Sequence, residues 1–347
     1  MFRNRKIPCI DLSSNFSKLP DITLIKSRKR SDYIVCSVKK GIIVTLLSSL
    51  IFRINPFPMA YNIALIQTAC SNDTDRNLAD SEKYIRQAAS GGANVILLQE
   101  LFAWPYFCRE VDNRHFARAE PVPGPLTSRM QKLAGELGVV IVVPLFEKRT
   151  AGLYHNTAVV IDADGTFLGK YRKMHIPEDP GFHEKYYFTP GDHGYQVFDT
   201  RFGSIGVLIC WDQWFPEAAR LTALMGADLL VYPTAIATLP EEKGALSQKY
   251  LKAWQTIQQS HAIANGCYVA SVNRVGVEGN LSFWGRSFVS GPFGEVLAEG
   301  GSDEEVVMCS VDPEKLDIHR TTWPFLRDRR IDTYHPIPSR WIGDNPG

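Results

Sequence analysis

The sequence contains no CxxC pair and no cysteine spacing suited to zinc, so neither a redox dithiol nor a structural metal site is encoded locally. Its seven cysteines (Cys9, Cys36, Cys70, Cys108, Cys210, Cys267 and Cys309) are irregularly spaced, and an odd number cannot all pair within one chain. A reducing, cytoplasmic setting is the expectation. Long apolar runs are also missing. The longest uncharged one, residues 41–52, would span about 18 Å as a helix against roughly 30 Å of bilayer hydrocarbon, too short to cross a membrane. There is no internal repeat and no Gly/Ser linker. A net excess of either charge is missing as well, with a formal net charge of +1 over 347 residues, which argues against a simple polyanion binder such as a nucleic-acid protein.

What is present is an ordinary globular composition, 45% hydrophobic and 22% charged, which excludes disorder, collagen and a membrane bundle. The near-neutral total conceals an asymmetry. Residues 1–58 hold 11 Lys+Arg against 3 Asp+Glu, leaving 27 against 34 for residues 59–347, so a basic extension precedes an acidic body. The extension shows no sustained period of 2 or 3.6 and ends in Asn55-Pro56-Phe57-Pro58. It is read as a disordered or non-native start, with Met59 as the working one. From residue 62 strand and helix signals alternate: strands at 62–67, 94–99 and 139–146, with helices at 76–89 and 127–137. Extended segments follow at 156–162, 165–170 and 195–200, with hairpin chemistry at Asp164-Gly165. The alternation resumes with strands at 204–209, 228–232 and 267–272 and helices at 217–225 and 247–265. A hairpin near Pro292-Phe293-Gly294 and a strand at 305–311 close the set. Several strands are apolar on both faces, as sheets covered by helices require. Residues 59–347 therefore read as one α/β domain, whose Trp- and Pro-rich tail from Arg320 looks like an extended arm that packs on something.

Three segments end a strand or loop with an ionisable residue, where sites in α/β proteins gather. ILLQE ends in Glu100, KYRKMHIP contains Lys173, and GVLICWDQWFPE contains Cys210. A cysteine on a sharp strand-to-helix turn presents its sulfur beside backbone N–H groups able to bind an oxyanion. A free cysteine is more often a small buried hydrophobe, Glu100 could be a solvated strand-end acid, and Lys173 one charge of an exposed run. A thiol needs a base or a positive field. The eight histidines include none in a motif that marks a protease base. Carboxylate and lysine can divide the work instead, Glu100 taking the thiol proton and Lys173 stabilising negative charge.

At these segments the chain resembles the nitrilase, or carbon–nitrogen hydrolase, superfamily. The likeness runs through LLQELF, YRKMHIP and ICWDQWFPEAAR, in family order and spacing. It implies a four-layer αββα sandwich of two helix-covered β-sheets, a Glu100–Lys173–Cys210 triad, no metal and no organic cofactor, and a homo-oligomer of dimers or larger. The stretches ELFAWPYFC, EDPGFHEKYYFTPGD and FWGRSFVSGPFGE look like the branch acting on N-carbamoylputrescine, although related branches hydrolyse ureido acids, amides or nitriles on the same frame. A catalytically silent binding protein on this fold is a further alternative. The resemblance adds Glu184 as a second acid near the lysine, Tyr106 as a pocket-lining residue, and the Trp211 backbone N–H as an oxyanion donor. The substrate's far end is then expected to be a cationic amine. Glu178 or Asp179, shortly past Lys173, would meet it, with Tyr106 offering a hydroxyl or an aromatic face.

Overall fold

The apolar residues of Tyr61–Gln67 need two different surfaces to cover them. Tyr61, Ile63 and Leu65 are buried in one hydrophobic cluster, Ala64 and Ile66 in another, because successive side chains of a strand point to opposite faces. The computed structural model describes residues 22–25, 35–38 and 59–343. Residues 1–55 and 56–347 form separate units. In the first, Ile22–Ile25 and Val35–Val38 pair antiparallel; the apolar run 41–52 lies outside the described residues.

In the second unit a six-stranded sheet runs in the order Glu305–Val311, Tyr61–Gln67, Val95–Leu98, Val140–Thr150, Leu153–Ile161 and Phe167–Arg172. Its neighbours are successively antiparallel, parallel, parallel, antiparallel and antiparallel. A second six-stranded sheet has the order Gln196–Asp199, Ser204–Val207, Leu229–Pro233, Tyr268–Val272, Phe288–Ser290 and Val296–Glu299 and repeats that succession of senses. Inward residues of both sheets (Ile63, Leu65, Val95, Leu97, Val207 and Val231 among them) share one core, so the sheets pack face to face.

Helices close the outer faces. Thr74–Ser90, capped by Asp73 accepting from the Arg76 N–H, and Pro125–Leu137 bury Ile85, Ala88, Met130 and Leu133 against Ala64, Ile66, Ile96 and Ile141. Pro216–Leu224 and Ala245–Asn265 lie on the second sheet. Gly206 lets the former approach closely: a Cβ there would sit 2.3 Å from Thr222 Cγ2 and 2.9 Å from Leu230 Cδ2. The layers are therefore helix, sheet, sheet, helix, the αββα sandwich expected.

Two features differ from the sequence reading. The chain past Asp312 first forms a helix the sequence reading did not include, Pro313–Thr322, so the irregular tail begins at Trp323 rather than Arg320. Pro313 occupies its first turn and the Asp312 side chain accepts from the Glu314 and Lys315 N–H groups, a standard start signal. Arg320 fastens that helix to the body through Asp228 (2.8 Å) and the carbonyls of Gly266 and Ala227. The second difference is a small sheet of Ala237–Thr238, Leu281–Trp284 and Val275–Glu278, whose strands are too short to give a sequence signal. Among the described residues no helix is long and apolar enough to cross a membrane.

Candidate active site

The parallel strand Val95–Leu98 carries Glu100 just beyond its carboxyl end, and Phe167–Arg172 delivers Lys173 one residue past its own. Both side chains are fully buried, as is Glu184 at the first turn of Glu184–Tyr187. Lys173 Nζ donates to Glu100 Oε1 at 2.9 Å and to both Glu184 oxygens at 2.9 and 2.7 Å. The ammonium thus bridges two buried carboxylates. Asn156 Nδ2 donates to Glu100 Oε1 at 2.7 Å and Tyr106 OH to Glu184 Oε1 at 2.7 Å. Glu100 Oε2 is buried with no partner, which leaves one carboxylate oxygen available to a proton in transit.

Cys210 follows Ser204–Val207 after two apolar residues and adopts φ 44°. That left-handed conformation is costly for a residue with a Cβ. Asp212, fully buried, fixes the turn. Its Oδ2 accepts from the Ile209 N–H (2.9 Å) and Tyr171 OH (2.7 Å), and its Oδ1 from the His175 N–H at 3.0 Å. His175 Nδ1 lies 2.7 Å from the same Oδ1, and its ring stacks on Phe215. One carboxylate therefore ties the cysteine turn to the segment on either side of Lys173. Cys210 and Trp211, adjacent in that turn, line one cavity.

The sequence profile described as "Carbon-nitrogen hydrolase" matches residues 62–318. The chain belongs to the carbon–nitrogen hydrolase family. It is 48% identical over 294 residues to N-carbamoylputrescine amidase of Solanum lycopersicum, covering 82% of this chain and 96% of that one. A solved carbon–nitrogen hydrolase from Helicobacter pylori G27 superposes with TM-score 0.80 at 42% identity, over 82% of this chain and all of that one. A glutamate-to-glutamine mutant of an amidase from Nesterenkonia sp. AN1, TM-score 0.64 at 26% identity, covers 83% of this chain and 98% of that one. Its active-site cysteine carries the acetamide moiety of fluoroacetamide covalently.

The hydrolase opens to solvent through a cavity of about 490 Å³ that reaches Cys210 and Glu184, a volume suited to a small ligand. Trp211, Trp214, Trp284 and Tyr250 supply aromatic wall, and Asp179, Glu241 and Glu242 supply acids. Among the described residues, none that line it is Lys, Arg or His. Two sequence expectations need correction here. Glu178 is not on the cavity wall; its carboxylate is half-exposed and engages His183 Nδ1 at 2.8 Å, whereas its neighbour Asp179 does line the cavity. Tyr106 is not on the wall either. It is wholly buried behind Glu184 with its hydroxyl committed to that carboxylate, so it orients the second acid and offers substrate neither hydroxyl nor ring. Sequence reasoning missed Glu241 and Glu242, which lie in the short 3-10 helix Pro240–Glu242 with no motif, although a Leu-Pro-Glu-Glu run beside a strand end is a visible turn signal.

Burial opposes charge on Lys173, Cys210 and Glu184, and the neighbours decide which keep it. Desolvation works against the Lys173 ammonium, but Glu100, Glu184 and Cys210 outweigh it and raise its pKa well above the ordinary value. Burial pushes the Cys210 thiol well up, Glu100 adds to this and Lys173 only partly offsets it. That direction favours the thiol over the thiolate. Burial also lifts the Glu184 carboxyl from its ordinary 4.5 to about 7, Lys173 opposing and Glu100 assisting. An acid whose pKa is raised on folding favours the fold below 4.5, and that contribution is lost as pH rises through 7. Urea unfolding of wild type and Glu184→Gln at pH 4.5 and 7.5 should therefore show the variant gaining on wild type as pH rises. The gain should be a few kcal/mol, each tenfold change in proton affinity being worth about 1.36 kcal/mol. Parallel pH profiles would show that Glu184 is not the group that titrates.

Proposed function

We propose that the enzyme hydrolyses N-carbamoylputrescine to putrescine, carbon dioxide and ammonia through a covalent intermediate on Cys210. The observation that carries the substrate is the character of the cavity: acids and aromatic faces surround it, and among the described residues no basic side chain lines it. A cationic amine gains from both features, whereas a carboxylate-bearing ureido acid would enter with no counter-charge. The likeness to the tomato amidase supports the same reading.

In the proposed sequence Glu100 Oε2 accepts the Cys210 proton while sulfur attacks the carbamoyl carbon. The Lys173 ammonium and the Trp211 backbone N–H stabilise the oxyanion. Glu100 returns the proton to the departing nitrogen and ammonia leaves, giving a thiocarbamate that joins sulfur to putrescine. Glu100 then deprotonates water, which attacks the same carbon. The thiol is released, and the resulting carbamic acid loses carbon dioxide to yield putrescine. Glu184, held by Tyr106, keeps Lys173 in position. These steps call on no metal and no organic cofactor. The catalytic unit is residues 59–347. We place it in the reducing cytoplasm, which suits its free cysteines Cys70, Cys108, Cys210, Cys267 and Cys309, and as a homo-oligomer. Exposed Leu221, Leu224 and Met225, with Trp323 and Phe325 of the tail, offer apolar surface to a second copy.

The test compares N-carbamoylputrescine with an uncharged carbamoyl alkylamine and with β-ureidopropionate. The cationic compound should lead in kcat/KM by about a hundredfold, or about 3 kcal/mol at 1.36 kcal/mol per tenfold. Equal rates on all three, or preference for the acid, would remove the polyamine assignment and leave a hydrolase of another branch.

A further inference from the structure

We infer that Arg274, locked by Glu278, is a positioning residue that sets the Glu100 carboxylate for its work on Cys210. Arg274 stands between Tyr268–Val272 of the second sheet and Val275–Glu278 of the small sheet, 174 residues from Glu100. Its side chain is fully buried. Nη2 donates to the carbonyl of Glu100 at 2.6 Å and to that of Leu101 at 3.3 Å, and Nη1 to the carbonyl of Trp104 at 3.2 Å and to Glu278 Oε1 at 2.8 Å. Glu278 Oε2 accepts from the Tyr106 N–H. The guanidinium also lies 5.3 Å from the Phe283 ring centroid and 6.0 Å from that of Tyr106.

One ion pair therefore holds the backbone of the loop that carries both Glu100 and Tyr106. That loop needs holding. Leu101, next to Glu100, sits at φ 52°, a conformation a leucine leaves unless its surroundings enforce it. Relaxation there would swing the chain leaving Glu100 and carry the carboxylate away from its 2.9 Å contact with Lys173 Nζ. Two carbonyls on either side of the strained residue, both fastened by the same planar fork, prevent this. The clamp also explains a buried charge that touches neither Lys173 nor the cavity wall: Arg274 joins a hairpin of the small sheet to a catalytic loop of the first. An ammonium cannot span three carbonyls and a carboxylate at once, so Arg274→Lys keeps the charge and loses the geometry.

This inference rests on Glu100 being the general base, and the experiment separates the two ideas. Turnover of N-carbamoylputrescine and alkylation of Cys210 by iodoacetamide are measured for wild type, Glu100→Gln, Arg274→Lys, Glu278→Gln, and each clamp variant combined with Glu100→Gln. Arg274→Lys and Glu278→Gln should lower kcat about 10- to 100-fold with KM within about threefold, and slow alkylation in parallel. In the Glu100→Gln background either substitution should slow alkylation by less than about twofold, because the group being positioned is already gone. Additive losses would make the pair a structural element and overturn the inference. So would a change in KM alone, or loss of folded protein in both clamp variants. If Glu100→Gln alone left alkylation and turnover unchanged, the general-base reading would fail instead.

Discussion

Cys210→Ala should yield a folded protein that releases no ammonia from N-carbamoylputrescine, a loss of at least about four orders of magnitude. The fold should survive because alanine keeps the Cβ and so meets the same left-handed backbone at φ 44°, while the Asp212 bonds that fix the turn come from its neighbours' backbone and side chains. Activity should not survive because no other thiol can substitute. Of the described cysteines only Cys210 lines the cavity. Cys108, the other fully buried thiol that senses the Glu100, Glu184 and Lys173 charges, does not line the cavity and so meets no substrate. Cys210→Ser should fail almost as completely, since a hydroxyl holds its proton far more tightly than a thiol and Glu100 is a weak base for it. Mass spectrometry of wild type quenched during turnover should find the putrescine-bearing thiocarbamate on the Cys210 peptide alone. Ammonia release by Cys210→Ala at the wild-type rate would remove the covalent mechanism.

Most of the scaffold is legible in residues near one another in the chain. Strand Glu305–Val311 and the helix ending at Leu137 stand where the patterns put them, because a period of 2 or 3.6 and a glycine such as Gly138 act over a few residues. The pairing of Glu305–Val311 beside Tyr61–Gln67 is a different matter. Nothing local specifies which strand lies next to one more than 200 residues away. The site divides the same way. Glu100, Lys173 and Cys210 stand out because each follows a strand end within a recognisable segment. Arg274 and Glu278 do not, because their meaning lies in carbonyls 170 residues distant and their hairpin strands are four residues long. The choice between Glu178 and Asp179 turns on which of two adjacent side chains points inward. Asp179 lines the cavity while Glu178 pairs with His183, and no periodicity predicts it.

Lys173→Ala and Glu100→Gln should each lower turnover by about three orders of magnitude or more, and the double variant should fall only slightly below the worse of the two. Non-additivity follows from geometry: the ammonium reaches Glu100 Oε1 at 2.9 Å, so removing either partner disables the same proton transfer and the same oxyanion field. The two single variants should nevertheless differ in stability. Lys173→Ala leaves Glu100 and Glu184 buried without their shared counter-charge, a change of about 3–5 kcal/mol for a broken buried pair, moderated as one carboxyl takes up a proton. Glu100→Gln keeps the Glu184–Lys173 pair and should cost less. Lys173→Arg should also be inactive, because the lysine is completely enclosed and a planar fork cannot enter a space shaped for a single ammonium. Single-turnover rates give the catalytic arm and urea titrations at neutral pH the stability arm. Near-normal turnover in Lys173→Ala would take the lysine out of the chemistry and leave its buried carboxylates without a catalytic explanation. If the double variant instead lost the product of the two single effects, Glu100 and Lys173 would be acting in separate steps, and a single transition state that uses both at once would be excluded.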